Sequence, residues 1–228
     1  NGHIDVMPAE MEDGWTNPPF EPVIRDGKMY GRGCTDMKGG LMASVMAVKL
    51  LQDAGYELPG DVTITSVCDE EGGGNGSIQA VMRGLKADGV VNCEPTDDTL
   101  ILAHMGWVFF KVDLEGKACH SGAKAEGVSE IEKAIQVIQG LNEMEHRWLL
   151  TIRHRLLPPP SLNIGVIEGG TAGSTVPGEC SFSTCVHYVP TLMNQDMVVK
   201  EFTEVVERIS RSDAWMEAHP PKISIYQT

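Results

Sequence analysis

The chain has 228 residues, of which 42% are hydrophobic and 22% are charged, a composition typical of a folded protein and too apolar for a disordered one. Acidic residues outnumber basic ones by 32 to 18, which gives a formal net charge of −14. Nucleic acids and anionic membranes attract basic surfaces, so we expect neither of them as a partner.

Cysteine usage and hydropathy indicate a cytoplasmic protein. The six cysteines are scattered and form no C-x-x-C pair, which favours free thiols in a reducing compartment. No apolar run reaches the length of a membrane span, and no signal peptide is evident. Because the chain begins with Asn1 rather than methionine, we expect it to be a fragment.

The first hundred residues alternate between strand and helix patterns, which is typical of a parallel or mixed sheet with helices on its faces. The patterns predict the end of a strand at NGHID, a helix over Met37–Ala54, a strand over Asp61–Cys68, a helix over Asn75–Leu85 and a strand over Gly89–Cys93. We therefore expect residues 1–103 to form part of an α/β domain.

The pattern changes near Ala103. It then predicts a strand over Trp107–Gly116, a helix over Ser129–Glu145, strands over Ser161–Glu168 and Glu179–Tyr188, a helix over Gln195–Ser210 and a strand over Lys222–Tyr226. This β-α-β-β-α-β order is that of a ferredoxin-like domain, so we expect residues 104–228 to form a second, α+β domain.

Acidic and histidine side chains occur at four corresponding places in the first domain, at predicted strand ends or at a helix start. They are His3 and Asp5, Asp36, the run Asp69, Glu70 and Glu71, and Glu94. Since the ends of parallel strands meet at one edge of a sheet, where ligands of open α/β folds bind, we expect these residues to converge.

Several carboxylates in one place repel each other unless a cation lies among them. One histidine with several carboxylates suits zinc, and also cobalt or manganese. There are more carboxylates than one tetrahedral ion needs, which indicates two ions sharing a bridging carboxylate. Each of the four groups of residues also has an explanation that needs no metal. His3 would be a hydrogen-bonded strand end and Asp36 a helix cap. The run Asp69–Glu71 would be a solvated turn and Glu94 part of a loop.

The motifs HID, GWTNPPFEPVIRDGKMYGRGCTDMKGG, DEEGGGNGS, CEPT and GKACHSG follow one another along the chain. In this order they resemble the dinuclear zinc amidohydrolases, the family of acetylornithine deacetylase, succinyl-diaminopimelate desuccinylase, aminoacylase and carboxypeptidase G. The resemblance covers nearly the whole chain. It implies a zinc-peptidase-like catalytic domain over residues 1–103, incomplete in this chain, and an inserted ferredoxin-like lid or dimerisation domain over residues 104–228.

The resemblance also implies a role for each residue of the motifs. The metal ligands would be His3 and Glu94 on one zinc, Glu71 on the second, and Asp36 as the bridge between them, with cobalt or manganese as substitutes. Glu70 would be the general base and Asp5 the carboxylate behind His3. His120 would stabilise the oxyanion in the site of the neighbouring subunit of a homodimer.

The implied reaction is hydrolysis of the amide bond of a small N-acylated amino acid, with acetylornithine deacetylase as the nearest pattern. A desuccinylase, a dipeptidase or carboxypeptidase of the same family, and a non-catalytic binding protein with this fold are the alternatives. Two departures concern the substrate and the metals. The asparagine and arginine with which relatives hold a substrate carboxylate are replaced by Ser174 or Thr175 and by His187, and the family's last histidine ligand has no counterpart before Thr228.

Overall fold

In the computed structural model, which describes residues 1–97 and 99–228, the chain divides into two units, Asn1–Leu100 and Ile101–Thr228. Among the described residues, no helix has both the length and the apolar character needed to cross a membrane. The functions expected of the two domains, catalysis for one and lid or dimerisation for the other, stay predictions.

The first unit has short strands and two helices. In chain order these are β1 (Gly2–His3), β2 (Val23–Arg25), β3 (Lys28–Tyr30), α1 (Gly40–Asp53), β4 (Ser66–Val67) and α2 (Asn75–Met82). Strands β1 and β4 pair in parallel, as the alternation predicts, with His3 opposite Val67. Strands β2 and β3 form a hairpin around Asp26 and Gly27, which both have positive φ angles of 50° and 73°.

Two predicted strands of this unit are wrong in part or in whole. The strand expected over Asp61–Cys68 is reduced to β4, and Gly89–Cys93 forms no strand. A strand needs a ladder of backbone hydrogen bonds, whereas within residues 1–97 and 99–228 the carbonyl of Val91 accepts a single bond, from the amino group of Asn1 at 2.9 Å. Side chains such as Val90 are 75% exposed, so burial does not add to their intrinsic preference for a strand.

The helix predicted from Met37 begins three residues later. Asp36 and Met37 have non-helical backbone angles, with ψ values of 106° and 21°, and α1 begins at Gly40 with Gly39 as its N-cap residue. Asp36 is therefore not the cap of this helix. Helix α2 begins at Asn75 as predicted but ends at Met82, before Leu85.

The elements of the second unit keep the predicted order, and two short strands and a short helix that were not predicted are added to it. They are β5 (Gly106–Glu115), β6 (Cys119–His120), α3 (Glu130–Thr151), β7 (Ser161–Gly169), β8 (Thr175–Val176), β9 (Glu179–Tyr188), α4 (Gln195–Arg211), α5 (Ala214–Ala218) and β10 (Lys222–Gln227). The four long strands form an antiparallel sheet in the order β10-β5-β9-β7. Helix α3 runs six residues past its predicted end at Glu145.

Alternation of side chains along β5 and β9 produces the core of this unit. Val108, Phe110 and Val112 of β5 are fully buried, because every second side chain of a strand points to the same face. Helices α3 and α4 cover that face, and the ring of Phe110 stacks on that of Phe202 with centroids 3.9 Å apart.

Candidate metal centre

His3 is the buried centre of a cluster of carboxylates. Its side chain lies at the end of β1, is 1% exposed, and directs Nε2 towards Oδ1 of Asp36 at 3.0 Å. Carboxylate oxygens of Glu94 and Glu70 follow at 3.6 and 3.7 Å from the same nitrogen. The structure thus brings together four of the residues that the sequence predicts to converge.

The three nearest side chains satisfy the geometry of a metal site. One ligand atom each from His3, Asp36 and Glu94 lies within 4.8 Å of the other two. Glu71 is not a member of this group. A single imidazole nitrogen with carboxylate oxygens is a donor set that zinc binds well.

Hydrogen bonding around His3 and Glu94 supports a cation at this position. Nδ1 of His3 lies 2.9 Å from the backbone carbonyl of Asp5, an acceptor, so Nδ1 carries the proton and the lone pair of neutral His3 lies on Nε2. That lone pair points at carboxylates, which is unfavourable without a proton or a cation between them. Oε1 of Glu94 is also buried without a hydrogen-bond partner among the described residues. The residues therefore fit a divalent ion.

The pKa values of the cluster reflect the same charges. Burial alone would lower the pKa of His3, but the hydrogen bonds to Asp36 and to the Asp5 carbonyl, with the charges of Glu94 and Glu70, raise it above its ordinary value. Burial raises the pKa of Glu94, and the charges of Glu70 and Asp36 raise it further against the opposing effect of His3.

Asp5 contacts His3 mainly through its backbone. Its carboxylate Oδ1 lies 3.4 Å from Nδ1 of His3, farther than its own carbonyl. Oδ2 accepts a hydrogen bond from the backbone N–H of Glu71 at 3.2 Å. Burial alone would raise the pKa of Asp5, but backbone N–H groups of residues 5, 70 and 71 lower it. Asp5 thus connects β1 to the turn that carries the acidic run.

Glu70 and Glu71 are adjacent but differently placed. Glu70 faces His3, and its side chain keeps 45% of its surface exposed, which leaves it open to water. Glu71 accepts a hydrogen bond from the N–H of Met7 through Oε1 at 3.2 Å. Asp69, the first residue of the run, accepts a hydrogen bond from Asn75 at 2.5 Å and so belongs to the start of α2.

A glycine allows the Glu94 segment to approach helix α1. A Cβ atom on Gly40 would collide with the carbonyl oxygen of Cys93, the residue before Glu94. Any larger residue at position 40 would separate these two segments. The second glycine of the motif CTDMKGG is thus explained by packing, which the sequence alone does not reveal.

His120 lies in the second unit, at the end of β6 and opposite Thr175 of β8. Its ring is exposed, and Nδ1 accepts a hydrogen bond from the N–H of Gly122 at 3.1 Å. In the neutral ring this leaves the proton on Nε2. His187, on β9, is exposed and lies opposite Trp107 of β5.

Comparisons with known proteins agree with this picture. The sequence profile of Peptidase family M20/M25/M40 matches residues 1–225. An N-formyl-4-amino-5-aminomethyl-2-methylpyrimidine deformylase from Bacillus subtilis is 34% identical over 97% of the chain and 54% of its own length. A succinyl-diaminopimelate desuccinylase from Dechloromonas aromatica is 35% identical over 78% of the chain and 49% of its own length. The chain spans about half the length of these curated relatives.

Solved structures show the same fold at low sequence identity. An M20 family metallo-carboxypeptidase from Sulfolobus solfataricus superposes with a TM-score of 0.75 at 19% identity, over 99% of this chain and 62% of that one. The resemblance to the zinc amidohydrolases read from the motifs is confirmed. The chain belongs to Peptidase family M20/M25/M40.

Proposed function

We propose that the protein hydrolyses the amide bond of a small N-acylated amine at the His3 cluster. The observation that carries this proposal is the convergence of ligand atoms from His3, Asp36 and Glu94 within 4.8 Å of one another, with a buried oxygen on Glu94 that has no hydrogen-bond partner in the described part of the chain. Family membership supports the same chemistry, since relatives are named as a deformylase and as desuccinylases.

We assign two divalent ions to this centre, with zinc as the first choice and cobalt or manganese as substitutes. His3 and Glu94 would hold one ion, Asp36 would bridge, and Glu71 would hold the second. When bound, the ions would supply Lewis-acid polarisation of water and of the substrate carbonyl.

Glu70 is assigned as the general base. Burial raises the pKa of its carboxyl, and the charges of Glu71, Asp36 and Asp5 raise it further against the opposing effect of His3. A carboxylate with a raised pKa is a stronger base, and its exposed side chain can reach water. Glu70 takes a proton from the attacking water and returns it to the leaving amine.

His120 is assigned to the oxyanion that forms when water attacks the carbonyl. Because Nδ1 accepts from Gly122, Nε2–H is available as a donor to that oxygen. Following the resemblance, we place it in the site of the partner subunit of a homodimer.

Two substrate classes fit the family. One is an N-acyl amino acid, such as N-acetylornithine or N-succinyl-diaminopimelate. The other is an N-formylated aminomethylpyrimidine, which the 34% identity to the deformylase supports. This second class has no carboxylate to bind, which agrees with the replacement of the arginine by His187 and of the asparagine by Ser174 or Thr175.

A substrate panel on the full-length gene product tests the proposal. We expect zinc-dependent release of amine from one of these substrates and a loss of about 10²–10⁴-fold in kcat for Glu70→Gln, with two ions still bound. Glu12→Gln, an exposed acid of the same unit, serves as the matched control. Turnover that survives in Glu70→Gln, or loss of both ions from it, would contradict the assignment of the base.

A further inference from the structure

Glu130 is a buried acid that the proposed reaction does not use. It is the first residue of α3, it is 1% exposed, and neither carboxyl oxygen has a hydrogen-bond partner among the described residues. It begins the stripe that continues with Ala134 and Val137 on the buried side of the helix. A carboxyl group in such a position must hold a proton or bear an uncompensated charge.

The carboxyl lies against the backbone that leads to His120. A Cβ atom on Gly116 would come within 2.5 Å of Oε1 of Glu130. The N–H of Gly116 donates to the carbonyl of Gly178 at 2.7 Å, and the N–H of Glu130 donates to that of Pro177 at 3.3 Å. These bonds hold one end of the short β6–β8 ladder, and His120 lies opposite Thr175 at its other end.

The charged neighbours of Glu130 do not neutralise it. They are Lys133 on its own helix, Asp213 and His219 on either side of α5, Glu115 at the end of β5, and Cys180 on β9. Lys133 is bound to Asp213 at 2.5 Å, so its ammonium group is already paired. Burial raises the pKa of Glu130 to about 7, with Asp213 and Glu115 raising it and Lys133 and His219 opposing.

We propose that Glu130 is a positioning residue, whose loss of a proton loosens the β6–β8 ladder that carries His120. Burial of the neutral acid costs less than burial of the carboxylate. The carboxylate needs water or N–H donors, and the carboxyl lies against Gly116, whose N–H holds one end of the ladder. The effect on catalysis rests on the proposed function of His120, whereas the effect on the ladder does not.

The direction of the pH effect follows from linkage. The pKa of Glu130 is about 7 in the folded protein against an ordinary value of 4.5, so the folded state binds the proton more tightly. The contribution of Glu130 to the free energy of unfolding is therefore highest below pH 4.5. It falls as the pH rises to about 7 and is constant above that pH. An opening of the ladder that restores the ordinary pKa becomes about tenfold more frequent between pH 6 and pH 8.

Two measurements on the chain as it stands test the proposal. The first is ¹³C NMR titration of the glutamate carboxyls in the wild type, in which we expect one midpoint near 7 that is absent from Glu130→Gln. The second is amide hydrogen exchange at pH 6 and pH 8, corrected for intrinsic rates. We expect protection of the ladder amides at residues 117–121, 175, 176 and 178 to fall about tenfold in the wild type and not in Glu130→Gln.

Glu132→Gln is the matched control, because Glu132 is exposed on the same turn of α3 and binds Lys124 instead. It should behave as the wild type. A Glu130 midpoint near its ordinary value overturns the proposal without any variant. A pH effect confined to the core amides of Phe110 and Phe182 would also overturn it, since it would show a structural role only. Because neither readout involves turnover, a failed substrate panel would leave this result intact.

Discussion

Glu94 in the first unit and Glu130 in the second both present a buried carboxyl oxygen that lacks a hydrogen-bond partner among the described residues. Their surroundings differ. Glu94 faces a histidine nitrogen at 3.6 Å, with Asp36 and Glu70 beside it. Glu130 belongs to no such group, since the one group of three metal-ligating side chains found among the described residues is that of His3, Asp36 and Glu94.

This difference shows how neighbours decide the partner of a buried carboxyl. Burial raises the pKa of both groups, because it disfavours the charged form. Where several donors converge, a divalent ion can satisfy them together. Where a buried acid belongs to no group of converging ligands, a proton satisfies it at lower cost than an ion does. The first unit is therefore expected to respond to metal and the second to pH.

The largest expected effect tests whether the two units serve one active site from different chains. Full-length Glu70→Ala and His120→Ala should each be nearly inactive. When subunits are exchanged at random, half of the dimers are mixed, and each mixed dimer regains one of two sites. We therefore expect activity to recover to about a quarter of wild type, measured after the subunits are mixed.

The control is co-purification of differently tagged subunits, which establishes that exchange has taken place. Activity that stays at the level of the single variants after verified exchange would mean that His120 serves its own subunit. The assignment of Glu70 would be unaffected by that outcome.

The next effect separates the units by their response to zinc. At a free zinc concentration of 100 times Kd, we expect the free energy of unfolding of the first unit to rise by about 2.7 kcal/mol. Hydrogen exchange at β1 and β4, compared with β5 and β9, measures it. Glu94→Gln should abolish the gain. Equal stabilisation of β5 and β9 by zinc would contradict the expectation that zinc stabilises the first unit and not the second.

The smallest effect concerns the electrostatics around Glu130. Lys133 lowers the pKa of Glu130, so Lys133→Gln should move the Glu130 midpoint further upward, by on the order of 1 kcal/mol or less in proton affinity. Carboxyl ¹³C titration measures the change. Lys200→Gln, on the exposed side of α4, should leave the midpoint where it is. A downward shift in Lys133→Gln would contradict the assigned effect of Lys133 on Glu130.

The second unit could be predicted from its sequence because its signals are local. The alternation of apolar and polar residues along Trp107–Gly116 and Glu179–Tyr188 indicates which face of each strand is buried. The structure confirms both strands within one residue at each end. The strands of the first unit depend on ladder partners distant in sequence. The hairpin at β2 and β3 was missed, although Asp26-Gly27 is a strong turn signal.

The sequence predicts which residues form the candidate site better than it predicts the contacts between them. Strand ends and a helix start indicated that His3, Asp36, Glu70 and Glu94 converge. Sequence could not tell that the carbonyl of Asp5, rather than its carboxylate, is the nearer partner of His3, because every residue has a carbonyl. Glu130 had a usable signal, a charged residue in phase with the apolar stripe of α3.

The close approach at Gly40 means that the proposed metal ligands cannot be moved to another protein by themselves. A protein engineer who grafted His3, Asp36 and Glu94 onto another α/β scaffold would copy the donors without their spacing. That spacing depends on a position where a side chain is missing, since any Cβ there would meet the Cys93 carbonyl. The proposed centre therefore depends on Gly40, a residue that contributes no ligand atom.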